Sequence, residues 1–242
     1  LHRLILRQRQ MCIRDSPTDV SFEHPMLERV VRVGLAHVET TFDGNHPKYG
    51  VGHYAEPRHD AFPPTIVATV DALTLWGHVK RAEELFTYWL ENFVRDDGTI
   101  DYYGPALSEY GQLLTTARRL MERGGDREWL GRHEDSLGRL AGFLLERMHE
   151  HGDVELLSGV PEADERDATA TYFHNNAWVV RGLSDWAGLL RDPLRETHRS
   201  RRLHEQADRL RMLLLRTIED VWPEDVDDWW LSPTVEEAER PK

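Results

Sequence analysis

Three stretches of the chain gather the side chains able to do chemistry. GVPEADERD sets Glu162, Asp164 and Glu165 beside Arg166. Carboxyl groups this close repel one another when ionised, which raises one pKa, while an adjacent guanidinium holds another in the ionised form. A protonated and an ionised carboxyl together meet the needs of glycoside hydrolysis: one protonates the leaving oxygen, the other activates water or attacks directly. Glu162, just after Pro161, is the candidate acid, with Asp164 and Glu165 as its partners. Upstream, KYGVGHYAEPRHDAFP offers Tyr54, Arg58, His59 and Asp60, and DDGTIDYYGPALSEYGQ offers Tyr103 and Glu109. The third stretch closes on YFHNN, with His174, Asn175 and Asn176. Flat rings cover the apolar C–H faces of sugars and polar side chains bond their hydroxyls, so these residues are candidate substrate contacts. Singly, a tyrosine is an ordinary packing residue and a loop carboxylate is a solvated charge or a helix cap. The same mixture in three separate stretches is what points to carbohydrate.

The elements that must position these residues are helical. Residues 81–95 put Ala82, Leu85, Phe86, Trp89, Leu90 and Phe93 on one stripe, with Glu83, Glu84 and Glu91 outside it, the pattern of a surface helix. Stripes return over 127–150 and 199–221, and more loosely over 26–41. Segments 64–79 and 176–190 are apolar nearly all round and must be covered on most sides, and 109–122 reads as a further inner helix. No run alternates as a strand does. Outer and inner helices therefore follow one another, the order expected of helical hairpins in two concentric layers, an all-α (α/α) toroid. Connections from inner to outer helix are short, whereas those from outer to inner are long: 42–63, 96–108 and 151–175. Loops of this length in compact domains are commonly functional. Each leads into an inner helix, so all three are expected at one end of the ring.

Composition narrows the partners. With 242 residues, 40% hydrophobic and 30% charged, the chain is long enough for one large core and ordinary for a globular protein. A formal charge of −13 argues against nucleic acid or an anionic membrane as partner and leaves neutral or cationic ligands. No stretch approaches the roughly 18 apolar residues of a membrane span. The single cysteine, Cys12, excludes a disulfide framework and a thiolate metal site. His46, His53 and His59 have no regular ligand spacing, so neither a metal nor a cofactor is expected.

The stretch HYAEPRHDAFPPTIVATVDALTLWGHVKRAEELFTYWLENF resembles the first active-site loop and hairpin of the six-hairpin glycosidases, the superfamily of glucoamylases, α-L-rhamnosidases and processing α-glucosidases. DGTIDYYGPALSEYGQLL and LLSGVPEADERDATATYFHNNAWVVRGL resemble its next hairpin entrances, and the likeness runs over residues 26–230. It implies a hydrolase with an (α/α)6 barrel and an inverting mechanism with water as nucleophile. It also implies that an Arg-Asp pair before an inner helix grips the terminal sugar. Here PRHD sets His59 between Arg58 and Asp60, a departure from the family's pattern. The family's mid-ring acid corresponds to the loop of Glu162, Asp164 and Glu165.

Six hairpins need twelve helices and the pattern yields seven, so residues 17–242 are expected to form a partial barrel, with a second carboxylate beyond Lys242. At the other end, RQRQMCIRDS has neither a helix face nor turn chemistry, and MCIRDS resembles translated sequencing-adapter read-through in metagenomic proteins. Residues 1–16 are therefore expected to lie outside the fold. Two other sugar-directed readings stay open, a binding fragment without turnover and an inverting glycoside phosphorylase. A remote third comes from Asp225, Asp227 and Asp228, whose D-x-D-D pattern is that of some terpene cyclases.

Overall fold

The structure, a computed structural model, describes residues 22–50, 56–104, 106–161, 168–222 and 231–238. Among them the chain is all-α apart from one two-stranded antiparallel ribbon. In order it forms α1 (Pro25–Thr40), β1 (Phe42–Asp43), β2 (His46–Pro47), a 3-10 turn (Pro57–Ala61), α2 (Pro63–Leu75) and α3 (Val79–Phe93). There follow α4 (Leu107–Glu122), α5 (Arg127–Arg132), α6 (Glu134–Met148), α7 (Phe173–Arg191), α8 (Thr197–Val221) and α9 (Val235–Ala238). No described helix is long and apolar enough to cross a membrane.

Two helices end by the same local rule. Gly77 follows α2 at φ 81° and Gly124 follows α4 at φ 104°. After α2, Gly77 N donates to Thr74 O at 3.2 Å and His78 N to Leu73 O at 2.8 Å; after α4, Gly124 N donates to Met121 O at 3.4 Å and Gly125 N to Leu120 O at 2.9 Å. Glycine takes this left-handed position without steric penalty, so the chain reverses within a few residues into the next helix. The long connections consequently collect at the opposite end.

Helices α2, α4 and α7 lie side by side and run the same way. Toward their C-terminal ends, Asp71 of α2 accepts from Arg119 and Arg123 of α4, and Arg118 of α4 lies over Gly188 of α7. Toward their N-terminal ends, α4 and α7 meet backbone to backbone. A Cβ on Gly111 would stand 2.1 Å from Trp178 O, and one on Gly182 2.5 Å from Gly111 Cα. A second row covers the first: α3 packs on α2, α6 on α4 and α7, and α8 on α7. Between the rows Trp129 stacks on Phe86 at 5.6 Å and donates its indole N–H to Thr87 Oγ1 at 2.9 Å.

Three expectations need correction. The helix expected over 127–150 is broken at His133, which is buried and bonded through Nε2 to Thr87 Oγ1 at 2.9 Å. Burial pushes the pKa of this imidazole down. The inner helix expected over 64–79 stops at Leu75, which is 67% exposed, while the helix before it is covered except at Ala68. The most enclosed helix is α4, although it carries Ser108, Glu109, Thr115 and Thr116 into the interior. Finally, α1 buries no residue, and Met26, Leu27, Val30 and Val33 lie open to solvent.

Candidate functional site

The first long loop is built around one carboxylate. Asp60 closes the 3-10 turn before α2 and is 1% exposed. Its Oδ2 takes His46 Nε2 at 2.9 Å and Lys48 Nζ at 2.7 Å, and its Oδ1 accepts the Tyr49 amide at 3.3 Å. The other ring nitrogen of His46 meets Tyr88 Oη of α3 at 2.9 Å. Burial acts to raise the pKa of Asp60, but the bonds from Lys48, His46 and the Tyr49 amide outweigh it and leave the pKa below its ordinary value. A second clamp lies outside: Arg81 of α3 bonds Glu39 of α1, Asn45 Oδ1 at 2.6 Å and Gly44 O at 2.8 Å.

The second loop opens as a tight hairpin. Val94 bridges Ile100, Asp97 Oδ1 accepts the Thr99 amide at 2.9 Å, and Gly98 takes φ 81° against Arg139 of α6. From α4, Tyr110 Oη accepts the Ile100 amide at 3.1 Å; burial pushes this phenol's pKa up to about 12, so it stays a neutral structural group. The hairpin delivers Tyr102 and Tyr103 onto the first loop. His59 lies 5.4 Å from Tyr103, Phe62 lies 5.4 Å from Tyr102, and Tyr49 lies 4.6 Å from Phe62, all between ring centres. The Arg58 guanidinium sits 3.9 Å over the Tyr103 ring. Tyr49 and Tyr103 keep 37% and 43% of their surface exposed, so the cluster presents rings to solvent.

The third loop is fastened on both sides of its acidic segment. Gly159 and Ala170 exchange both backbone hydrogen bonds at 3.0 Å, and Ser158 Oγ meets Thr171 Oγ1 at 2.9 Å, which joins the two described flanks of the loop. On the incoming side, Asn176 Oδ1 accepts the Leu157 amide at 2.9 Å and its Nδ2 donates to Leu157 O and Tyr172 O, while Asn175 Nδ2 donates to Val160 O at 2.9 Å. On the outgoing side lies a strap, residues 231–238. Phe173 N donates to Pro233 O, Val235 N donates to Thr171 O, and the Glu236 carboxylate accepts both the amide and the hydroxyl of Thr171. The N-cap residue of α7, Tyr172, makes no side-chain cap, and the strap carbonyl supplies what is missing. A parallel bridge from Ala106 to Val160 ties this loop to the second.

The loops thus converge on the N-terminal ends of α2, α4 and α7, bringing Arg58, His59 and Tyr103 together. Asp60 is close by but turned inward, its lone pairs engaged by its own loop, so it is a fastener and not a sugar grip. Asn176 is 0% exposed with its amide fully bonded, and is a fastener too. Asn175 and Glu109 are buried at the first turns of α7 and α4, and His174 is exposed beside Trp178. Among the described residues, Asn175 Oδ1 and Ser108 Oγ have no hydrogen-bond partner and are buried. Both lie at first turns of helices next to the loops. Tyr54 and the acidic residues Glu162, Asp164 and Glu165 lie outside the described residues, as do Asp225, Asp227 and Asp228. Sequence reasoning missed the strap and Lys48, since SPTVEEAERPK reads as an acidic tail and a single lysine carries no pattern.

Comparison with protein-family models, with curated proteins and with solved structures finds no match.

Proposed function

We propose that the chain is a glycoside hydrolase of the six-hairpin kind, its two rows of helices forming a sector of an (α/α)6 toroid, and that its substrate is an oligosaccharide. One observation carries this reading: three long loops meet at the N-terminal ends of three parallel helices, where tyrosine rings are exposed, and the sequence of the third loop holds Glu162, Asp164 and Glu165. Rings and polar groups around a carboxylate-bearing loop are the means of binding a sugar and cleaving its glycosidic bond. In this reading Glu162 is the general acid, one of its neighbours stays ionised, and the mechanism is inverting. The fasteners Asp60, Asn175 and Asn176 hold the loops in place.

Glu162→Gln tests it. The amide keeps the size and hydrogen bonding of the acid but has no proton to transfer. Turnover of a natural glycoside should fall about 10²- to 10⁴-fold with little change in affinity. An aryl glycoside with a good leaving group needs little protonation and should suffer much less. Unchanged turnover in Glu162→Gln with loss in Asp164→Asn or Glu165→Gln moves the acid within the loop. Silence of all three removes the site. Sugar affinity without turnover in the unmodified chain would make it a binding protein.

A further inference from the structure

Four helical hydroxyls of this molecule share one solution. Thr74, Thr116, Ser184 and Thr217 each donate to the carbonyl four residues back in their own helix, at 2.8–3.0 Å. Ser108 has no such resource. It lies in the first turn of α4, where the residue four back, Gly104, precedes the helix; it is 0% exposed, and its Oγ has no partner among the described residues. Thr115 Oγ1 is unpaired as well, but it stands in mid-helix with the Gly111 carbonyl four residues back. Asn175, in the first turn of α7, is also 0% exposed; its Nδ2 donates to Val160 O at 2.9 Å, and its Oδ1 is without a partner. The neighbouring Asn176 shows the ordinary outcome, with oxygen and nitrogen both engaged.

The two unpaired atoms belong to one place. Gly111 of α4 lies against Trp178 O of α7, and one turn back along these parallel helices come Ser108 and Asn175. The Asn175 amide reaches Val160, and Val160 is bridged to Ala106, two residues before Ser108. Buried polar atoms without a partner are exceptions in folded proteins, and two at the same level of adjoining helices point to a third group shared between them. Asn175 Oδ1 only accepts, so that group brings a donor; Ser108 Oγ is free to donate in return. A cation is opposed by the positive ends of two helices. An anion brings no proton for Asn175 Oδ1 and would be set beside the buried Glu109. A neutral hydroxyl satisfies both atoms. We infer that the first turns of α4 and α7 enclose a site for one neutral hydroxyl, which donates to Asn175 Oδ1 and accepts from Ser108 Oγ. Because both residues are fully enclosed, the expected source is a water molecule, of the kind that bonds otherwise unpaired groups in protein interiors; a hydroxyl of a bound sugar is the other source. Through Asn175 and Val160 the site joins α4 to the third loop.

Thermal melts of S108A, N175A and the double variant test the site. If Ser108 Oγ were unpaired, alanine would remove a buried polar atom and favour the helix, so the melting temperature would hold or rise. With the shared hydroxyl it should fall by roughly 2–4 °C, the shift of one lost buried hydrogen bond in a chain of this size. N175A also loses its bond to Val160 and should fall further, yet the double variant should lose clearly less than the two single losses together, because either change removes the same site. Additive losses, or no loss in S108A, overturn the inference. Should N175A not fold, the sign of the S108A shift decides alone. The same melts in glucose separate the sources. An internal water predicts an S108A deficit that glucose leaves unchanged. A sugar hydroxyl predicts that glucose raises the melting temperature of wild type but not of S108A, which keeps the site and assigns it to the ligand. Hydrolysis enters neither readout, so failure of the glycosidase reading and failure of this site are distinct.

Discussion

The two sides of the molecule are held by different forces. Between α4 and α7 the backbones touch at Gly111 and Gly182, with no room for a methyl group and little access for water. On the other side, α1 and the β1–β2 ribbon set Phe42 in the core and are pinned further by Arg81 and Asp60, charged side chains that gather bonds from several directions. The first side relies on shape, which salt and pH do not alter. The second relies on charge, which both do. Loops that carry a binding surface tolerate the second arrangement, because its strength can be set without disturbing the core.

Substitutions can separate the two regimes. The largest effect is expected from Gly111→Ala. Its new methyl would meet Trp178 O, so the helices must move apart, at a cost near or above the ~3 kcal/mol upper end of overpacking, and the loss should be the same at low and high salt. Chemical denaturation at two salt concentrations measures it; a neutral outcome would mean that α4 and α7 are not in backbone contact. A smaller loss, about 1.5 kcal/mol, is expected for Asp60→Asn, which removes charge-assisted bonds while Lys48 stays half solvated. Its pH dependence is the sharper sign. The depressed folded pKa of Asp60 means that its contribution is complete above the unfolded carboxylate value, about 4, and disappears as pH falls through the folded value. Wild type should thus lose stability over that acid range, and Asp60→Asn should lose less of it. The smallest effect belongs to α1: Val30 is 60% exposed, so Val30→Ser should change stability by no more than about 0.5 kcal/mol. A large loss would show that something covers this face in solution.

Helices whose apolar residues recur in step were legible in the sequence. Residues 81–95 and 199–221 are examples, because burial against a single neighbouring layer imposes one stripe. The convergence of the loops was legible as well, since short connections from inner to outer helix leave the long ones to the opposite end. What the sequence concealed depends on partners distant in the chain. The break at His133 is invisible in a stripe that runs on from Leu130 to Leu137; it comes from a bond to Thr87 in another helix. Asp60 has the position of a ligand-binding residue, and only the fold brings His46 and Lys48 onto it. Asn176 looks like a polar group available to a sugar until Leu157 and Tyr172 take its amide. The enclosure of α4 was hidden for the opposite reason: glycine, serine and threonine lower its apparent hydrophobicity yet permit the close packing that buries it.

The strap that caps α7 gives the molecule an order in time. Helices α7 and α8 are joined by a short connection and can find each other early, because closing a small loop costs little entropy. Thr171 and Glu236 stand 65 residues apart, and their meeting requires the whole of that hairpin to be in place first. The first turn of α7, with Asn175 and Asn176, is therefore the last part of the helix to settle during folding. By the same reasoning it is the first to fray, so the Gly159–Ala170 pairing beside it inherits its lifetime from contacts made at the far end of the described chain.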